Sequence, residues 1–353
     1  MTSTPITCLL FSDLSPWERE GIQALLHYLH LEHAAKVEEL EIEQKNVFKG
    51  TSARGTFWIF AHRWESALAS LRLPVGSRII VSALSSSAPA SFLPALFLNR
   101  FRREFAKVSF VAHSPLSFRF LCEIRGISQT QVSFLPLPVQ ARGVKLTSRP
   151  DRITVGVIAR YFTDANLHYL LNVAHYVFQK KSQLHFFLLG TGPLEKHLRN
   201  IISELGIQSA VTLAKPDLAT LDEVDLVIFS PLQNHHFIPI QLAASRAIAV
   251  IANEMPGIEQ YLQDGKTGFV VNVNETKPMA ELALRLAQDQ QLRKSLGDKL
   301  QSHILSTFSM SALARNYEAV LKGDALSPKI VSLDRVSTDS DTNFSERNRS
   351  AGK

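Results

Sequence analysis

Two cysteines, Cys8 and Cys122, are all that this 353-residue chain carries, so no disulfide framework and no cysteine-rich zinc module is available to it. Both thiols are expected to be buried as small hydrophobes in a reducing compartment. Apolar runs of spanning length are also missing. The longest candidate, residues 92–98, is short and contains Pro94. The start, MTSTPITCLLFSD, lacks the basic stretch of a secretory leader. No internal repeat and no nucleic-acid-binding motif is present. The net charge of +6 admits an anionic partner without choosing among a nucleotide-sugar, a lipid phosphate and a bilayer surface.

What is present is ordinary globular composition, 45% hydrophobic and 20% charged, in a chain long enough for two domains. Strand and helix patterns alternate throughout, which predicts an α/β protein with parallel sheets. Strands are expected at 6–11, 56–60, 78–82, 107–112 and 132–135, with helices at 17–29 and 116–125. A polar, basic linker, PVQARGVKLTSRPD, separates this half from a second one. There the pattern runs strand 153–158, helix 167–179, strand 185–189, helix 194–205, strand 211–213, strand 226–229, helix 238–245 and strand 248–252. Helices at 278–286 and 291–307 complete it. The Ser-rich, charge-mixed end predicts a disordered tail. The expected division is residues 1–140, a linker at 141–151, residues 152–323 and a tail at 324–353. Two doubly wound domains of this kind place a cleft at the carboxyl ends of their strands.

Several residues are candidates for chemistry at that cleft. Arg160 follows the strand at 153–158, where a guanidinium can fork onto phosphate oxygens. Gly190 and Gly192, in FLLGTGPLEKHL, allow close backbone approach ahead of a helix opened by Pro193. The competing reading of that turn is a tight strand–helix connection with no ligand. His62 follows a strand and is a weak catalytic candidate; the alternative is a partly buried strand-end histidine. His113, after 107–112, has a similar placement. His235 and His236 are adjacent and find no third ligand at zinc-like spacing, so no metal is expected. The Asp339–Asp341 pair falls in the expected tail. Residues 99–107, NRFRREFAK, place Arg100, Arg103 and Lys107 at helical spacing, a candidate membrane-surface contact or a solvated face.

Four segments of the second half resemble the donor domain of the GT-B glycosyltransferases of family 4, the "group 1" glycosyltransferases. They are GVIARYFTDANLHYLL, FLLGTGPLEKHL, DLVIFSPLQNHHFIPIQLAA and MPGIEQYLQDGKTGFVV. The resemblance covers roughly residues 153–317 and extends weakly over 108–139. It implies a GT-B-like fold of two Rossmann-like domains, an acceptor-side first and a donor-side second. It implies transfer of a sugar from a nucleoside-diphosphate sugar to a surface-glycan or glycoconjugate acceptor, retaining, with no cofactor and no required metal. By the same resemblance Arg160 holds the donor diphosphate, while Gly190, Gly192, the Asn234–Phe237 loop, Thr267 and Gly268 shape the donor pocket.

The pattern also departs from the family. Ala165 stands where its lysine would be, Asn234 and Leu242 where its two glutamates would be, and His235 and Phe237 where it has glycines. A leucine offers a ribose hydroxyl no acceptor, and losing a cation removes stabilisation of the leaving diphosphate. Gln241, His235 and His236 are the candidate replacements. Two functions therefore stand: an active transferase, or an inactive GT-B homologue serving as a glycan-binding or partner subunit of an active glycosyltransferase. The expected location is cytoplasmic, with peripheral contact to the inner face of the membrane.

Overall fold

The computed structural model describes residues 5–12, 14–40, 55–61, 77–84, 108–124, 126–142, 152–161, 165–180, 182–231, 236–272, 275–324 and 326. His62, Asn234, His235 and the 99–107 segment lie outside them. In the first half, β1 (Ile6–Phe11), α1 (Pro16–His33), β2 (Lys36–Leu40), β3 (Thr56–Ala61), β4 (Arg78–Ala83), β5 (Val108–Ala112), α2 (Pro115–Arg119) and β6 (Val132–Phe134) follow in order. A π turn, Phe120–Ile124, ends α2, so the helix expected at 116–125 is split. The second half holds β7 (Ile153–Ile158), α3 (Leu167–Gln179), β8 (Leu184–Leu189), α4 (Glu195–Glu204), β9 (Val211–Ala214), α5 (Leu218–Leu221) and β10 (Leu226–Phe229). It continues with α6 (Ile238–Ser245), β11 (Ala249–Asn253), β12 (Phe269–Val271), α7 (Thr276–Gln288), α8 (Gln290–Phe308) and α9 (Met310–Lys322).

The strands form two parallel six-stranded sheets, ordered β2-β1-β3-β4-β5-β6 and β12-β11-β10-β7-β8-β9. Sheets covered on both faces need continuous apolar strands. TFWIFA in β3 and LVIF in β10 are buried at every position. Strand order reverses between β1 and β3 in the first sheet and between β7 and β10 in the second. In doubly wound sheets, switch points of this kind are where ligands bind, outside the carboxyl ends of the strands.

Local chemistry sets the element ends. Ser15 and Glu18 form a capping box: Ser15 Oγ accepts from the Glu18 amide at 3.2 Å, and a Glu18 carboxylate oxygen accepts from the Ser15 amide at 2.7 Å. Asn166 opens α3 in the left-handed region at φ 53°, which asparagine tolerates. Ser309 caps α9, whose Leu313, Tyr317 and Val320 are buried at helical spacing.

The carboxyl-end loops of the two sheets meet. A Cβ on Gly257, after β11, would lie 2.9 Å from Pro115 Cγ, after β5. Helix α1 packs on α6, and a Cβ on Gly21 would lie 3.0 Å from Ile238 Cγ1. One apolar cluster therefore runs through both halves, from Cys8, Ile22 and Trp58 to Ile238, Leu242, Tyr261 and Tyr317. The outer faces of the sheets have their own clusters. The Arg142 amide donates to Ser245 O at 2.8 Å, and its guanidinium pairs with Glu20 at 2.8 Å.

Helix α9 returns to the first sheet. Tyr317 Oη donates to Pro136 O at 2.8 Å, and the Arg78 guanidinium donates to Val320 O at 2.6 Å and to Leu321 O. Tyr28 Oη and His33 Nε2 each lie 2.7 Å from a Glu318 carboxylate oxygen. Past the expected bound at 323, Leu326 accepts from the Phe134 amide at 3.0 Å and donates its own amide to Ser133 Oγ at 3.1 Å. Both cysteines are free, and burial pushes the Cys8 thiol up to about 12.

Candidate functional site

At the carboxyl edge of the second sheet, β7 delivers Arg160 two residues beyond Ile158, with its side chain half-buried. Across the switch point Ser230 follows the end of β10 and Asn253 ends β11, both buried. Asn166 Nδ2 donates to Ser230 Oγ at 3.4 Å, tying the start of α3 to the end of β10. Asn253 is 0% exposed, and its amide nitrogen and oxygen have no hydrogen-bond partner among the described residues. Ser230 and Asn253 were not singled out by sequence reasoning. Their signal is a polar residue closing an apolar strand run. Ala165, where a lysine would complete the cationic pair, is buried in the apolar cluster beneath α3.

Gly190 and Gly192 lie against this loop, and the structure gives both a packing role. A Cβ on Gly190 would stand 1.8 Å from Ala159 O, and one on Gly192 would stand 2.6 Å from Tyr161 O. The turn after β8 thus rests directly on the backbone that carries Arg160. Tyr161 fastens it further: its amide donates to Thr191 O at 3.0 Å and its hydroxyl to Leu188 O at 2.5 Å.

Helix α6 is buried along its whole length. Gln241 Nε2 donates to Leu137 O at 2.8 Å, so the amide offered as a ribose partner is engaged with the end of the first domain. Leu242 belongs to the apolar cluster shared by the two halves. Phe237 stacks on Tyr261 at 4.2 Å between centroids, and Tyr261 stacks on Phe308 at 4.6 Å. The aromatic ring at a family glycine position therefore fills space inside the protein. A small crevice, open to solvent, lies between α1, the linker and α6; Glu20, Gln23, Gln140, Arg142, Gln241 and Ser245 supply its polar lining.

Thr267 and Gly268 close a turn. Thr267 Oγ1 accepts from the Gln263 amide at 2.8 Å, and Asp264 Oδ1 accepts from the Val270 amide at 2.9 Å. A Cβ on Gly268 would meet Val250 O at 2.6 Å. Both residues hold the loop against β11, away from the Arg160 turn in sequence and in bonding.

On the first sheet, His113 sits at the end of β5 in a closed relay. Leu135 O can only accept, so the Nδ1 that faces it at 2.8 Å carries the proton. Nε2 then accepts from Ser82 Oγ at 3.0 Å, and Ser82 Oγ accepts from Trp58 Nε1 at 2.9 Å. Burial, with His236 adding to it, pushes His113 down to about 4, so the ring is neutral at physiological pH. The geometry makes it a core histidine. No group of three or more metal-ligating side chains exists among the described residues, and none of their helices is long and apolar enough to cross a membrane.

A family profile described as Glycosyl transferases group 1 matches residues 142–303. Alpha-D-kanosaminyltransferase of Streptomyces kanamyceticus is 24% identical over 189 residues, 51% of this chain and 48% of that protein. N-acetyl-alpha-D-glucosaminyl L-malate synthase of Bacillus anthracis is 24% identical over 136 residues, 38% of this chain and 36% of its own. The chain thus spans about half the length, or less, of these curated relatives. Among solved structures, Anabaena Alr3699/HepE in complex with UDP-glucose superposes with a TM-score of 0.67 at 13% identity, over 90% of this chain and 99% of that one. S. aureus TarM in complex with UDP gives a TM-score of 0.63 at 13% identity, over 75% and 55%. The two parallel six-stranded sheets are those of the GT-B fold, and residues 142–303 match the group 1 glycosyl transferase family.

Proposed function

We propose that this chain binds a nucleoside-diphosphate sugar at the carboxyl edge of its second sheet and transfers the sugar to a glycan or glycoconjugate acceptor, with retention and without a required metal. Residues 1–140 serve the acceptor and residues 152–323 the donor. The observation that carries this reading is Arg160, half-buried just beyond β7 beside the β7–β10 switch point, inside the segment that matches group 1. A cation there offsets charge on the diphosphate as it leaves, and Arg160 can bind two of its oxygens at once. HepE with UDP-glucose and TarM with UDP support the ligand class. On this reading the chain works in the cytoplasm, at the inner face of the membrane. The test is calorimetry with UDP and the other nucleoside diphosphates. Arg160→Ala is expected to lose about 1.5–3 kcal/mol of binding, the scale of a charge-assisted hydrogen bond. Equal affinities for the two proteins remove the assignment.

A second reading draws on Leu242 and Phe237, both buried where family members carry a glutamate and a glycine. On it, the chain keeps the fold and the binding edge, does not transfer, and acts as a partner subunit of an active glycosyltransferase. Tight diphosphate binding with no release of UDP from UDP-sugars, with or without acceptor, selects this reading. Turnover eliminates it.

A further inference from the structure

His168 and His197 stand 29 residues apart in the chain, and the fold brings them together. His168 lies in the first turn of α3 and His197 in the first turn of α4. Their Nε2 atoms are 3.1 Å apart, with ring centroids at 5.0 Å and planes inclined by 49°. Both residues are exposed. The helices beneath them are anchored: Leu167, Tyr169 and Leu170 are buried on α3, and Leu198 and Ile202 on α4. The backbone therefore presets the spacing of the two rings.

We propose that His168 and His197 form a two-imidazole site for a borderline-soft divalent cation such as Zn²⁺, Ni²⁺ or Cu²⁺, completed by water. The distance is the first argument. Metal–nitrogen bonds of about 2.0–2.1 Å place two ligand nitrogens about 3.3 Å apart at a tetrahedral angle and about 2.9 Å apart at a right angle. The observed 3.1 Å falls between the two geometries. Ligand type is the second. Neutral imidazole is the commonest protein ligand for these metals, whereas Mg²⁺ and Ca²⁺ take oxygen. Exposure is the third. Water can fill the open positions, and an isolated hydrogen bond between two exposed rings gains little against solvent. Glu195, on the same helix turn as His197, is engaged by Arg199 at 2.7 Å, so the two imidazole nitrogens are the ligands on which the site rests.

The site joins the first turns of the two helices that follow the Arg160 loop and the Gly190–Gly192 turn. A bound cation would clamp the edge at which the nucleotide-sugar is proposed to bind, without touching the diphosphate. Its existence does not depend on that proposal, because the experiment reads metal directly. ZnCl₂ and NiCl₂ are titrated into the full chain by calorimetry, with MgCl₂ as a control. The wild type is expected to show a saturable site for Zn²⁺ and Ni²⁺ and none for Mg²⁺. His168→Ala and His197→Ala should each weaken that site at least tenfold, since one imidazole cannot chelate. His175→Ala, two turns further along α3, should leave it unchanged. Zn²⁺ should raise the melting temperature of the wild type more than that of either variant. Both rings are exposed, so the variants retain the fold. Absence of a saturable site in the wild type overturns the proposal, as does unchanged affinity in the two alanine variants. In either case the pair is a hydrogen bond between two rings and not a metal site.

Discussion

Leu242→Glu is the perturbation on which sequence and structure disagree most. Glutamate is the residue the group 1 pattern places at 242, and from sequence alone it should return a ribose acceptor to the pocket. In the structure Leu242 is 4% exposed, within the apolar cluster formed where α1 of the first half packs on α6. Removing a buried leucine costs about 2–5 kcal/mol. A neutral carboxyl left without partners adds about 1–3 kcal/mol. The neighbours do not relieve it. Ser245 Oγ donates to Leu242 O at 2.8 Å, Gln241 is held by Leu137 O, and Arg246, one turn on, is bound to Asp222 at 2.6 Å. Recruiting Arg246 breaks an existing pair. The total, at least ~3 kcal/mol, is a large part of the ~5–15 kcal/mol that holds an ordinary domain folded. The penalty has a sign in pH. Burial raises the introduced carboxyl above its usual ~4.3, so the folded state keeps a proton that the unfolded state releases. Stability of the variant therefore falls as pH rises above ~4.3, by up to ~1.4 kcal/mol per unit, until the raised value is reached. Urea unfolding of the parent, Leu242→Glu and Leu242→Met at pH 5 and pH 7 measures this. The methionine variant should stay within ~1.5 kcal/mol of the parent. A glutamate variant within ~1 kcal/mol of the parent at both pH values refutes the reasoning, because position 242 would then face water and the shared core would not exist.

His113 carries its own pH signature. Its folded-state value of about 4 lies below the ordinary 6.5, so its contribution is complete above 6.5 and lost as pH falls from there toward 4, up to ~3 kcal/mol in all. Urea midpoints should drop between pH 7 and pH 5, less so in His113→Gln, and a flat wild-type profile contradicts this. Gly190→Ala places a carbon 1.8 Å from Ala159 O and must displace the loop that carries Arg160. A loss of at least ~1–3 kcal/mol is expected in thermal melts, together with weaker diphosphate binding. A chain ending at Gly323 loses both backbone hydrogen bonds of Leu326 and should be ~1–2 kcal/mol less stable than one ending at Ser327, which should melt within about a degree of the full chain.

The second half was legible in detail. The expected bounds of β7, α3, β10 and α6 coincide with those observed: β7 and β10 are short apolar runs, Asn166 opens α3, Ser230 and Pro231 follow β10, and Pro239 opens α6. Strand β2 escaped because KVEEL is a charged edge strand with no apolar alternation. Helix α9 was open to detection, since Ser309, the Leu313–Tyr317–Val320 spacing and Gly323 mark its start, face and end. At the site, the position of Arg160 followed from its distance past an apolar strand. The roles of the glycines did not. A glycine marks close approach without saying to what, and at Gly190 and Gly192 the approaching group is the chain's own backbone. The burial of Leu242 and the relay through Ser82 and His113 rest on contacts between distant segments, which no local pattern encodes.

The return of α9 to the first sheet orders events during synthesis. Tyr317 is fully buried, its ring 5.9 Å from that of Trp58 in β3, and Arg78 of β4 is bound to carbonyls at the end of α9. Ribosomes deliver about 5–20 residues per second from the N-terminus. The first sheet is therefore made early, and part of one face waits for a helix that follows the whole second sheet in the chain. During that interval the cluster around Trp58 lacks Tyr317 and the rest of the α9 face. The nascent first half is thus a natural client for chaperones, and a ribosome stalled before Met310 would present an incomplete protein rather than a finished domain with a missing neighbour.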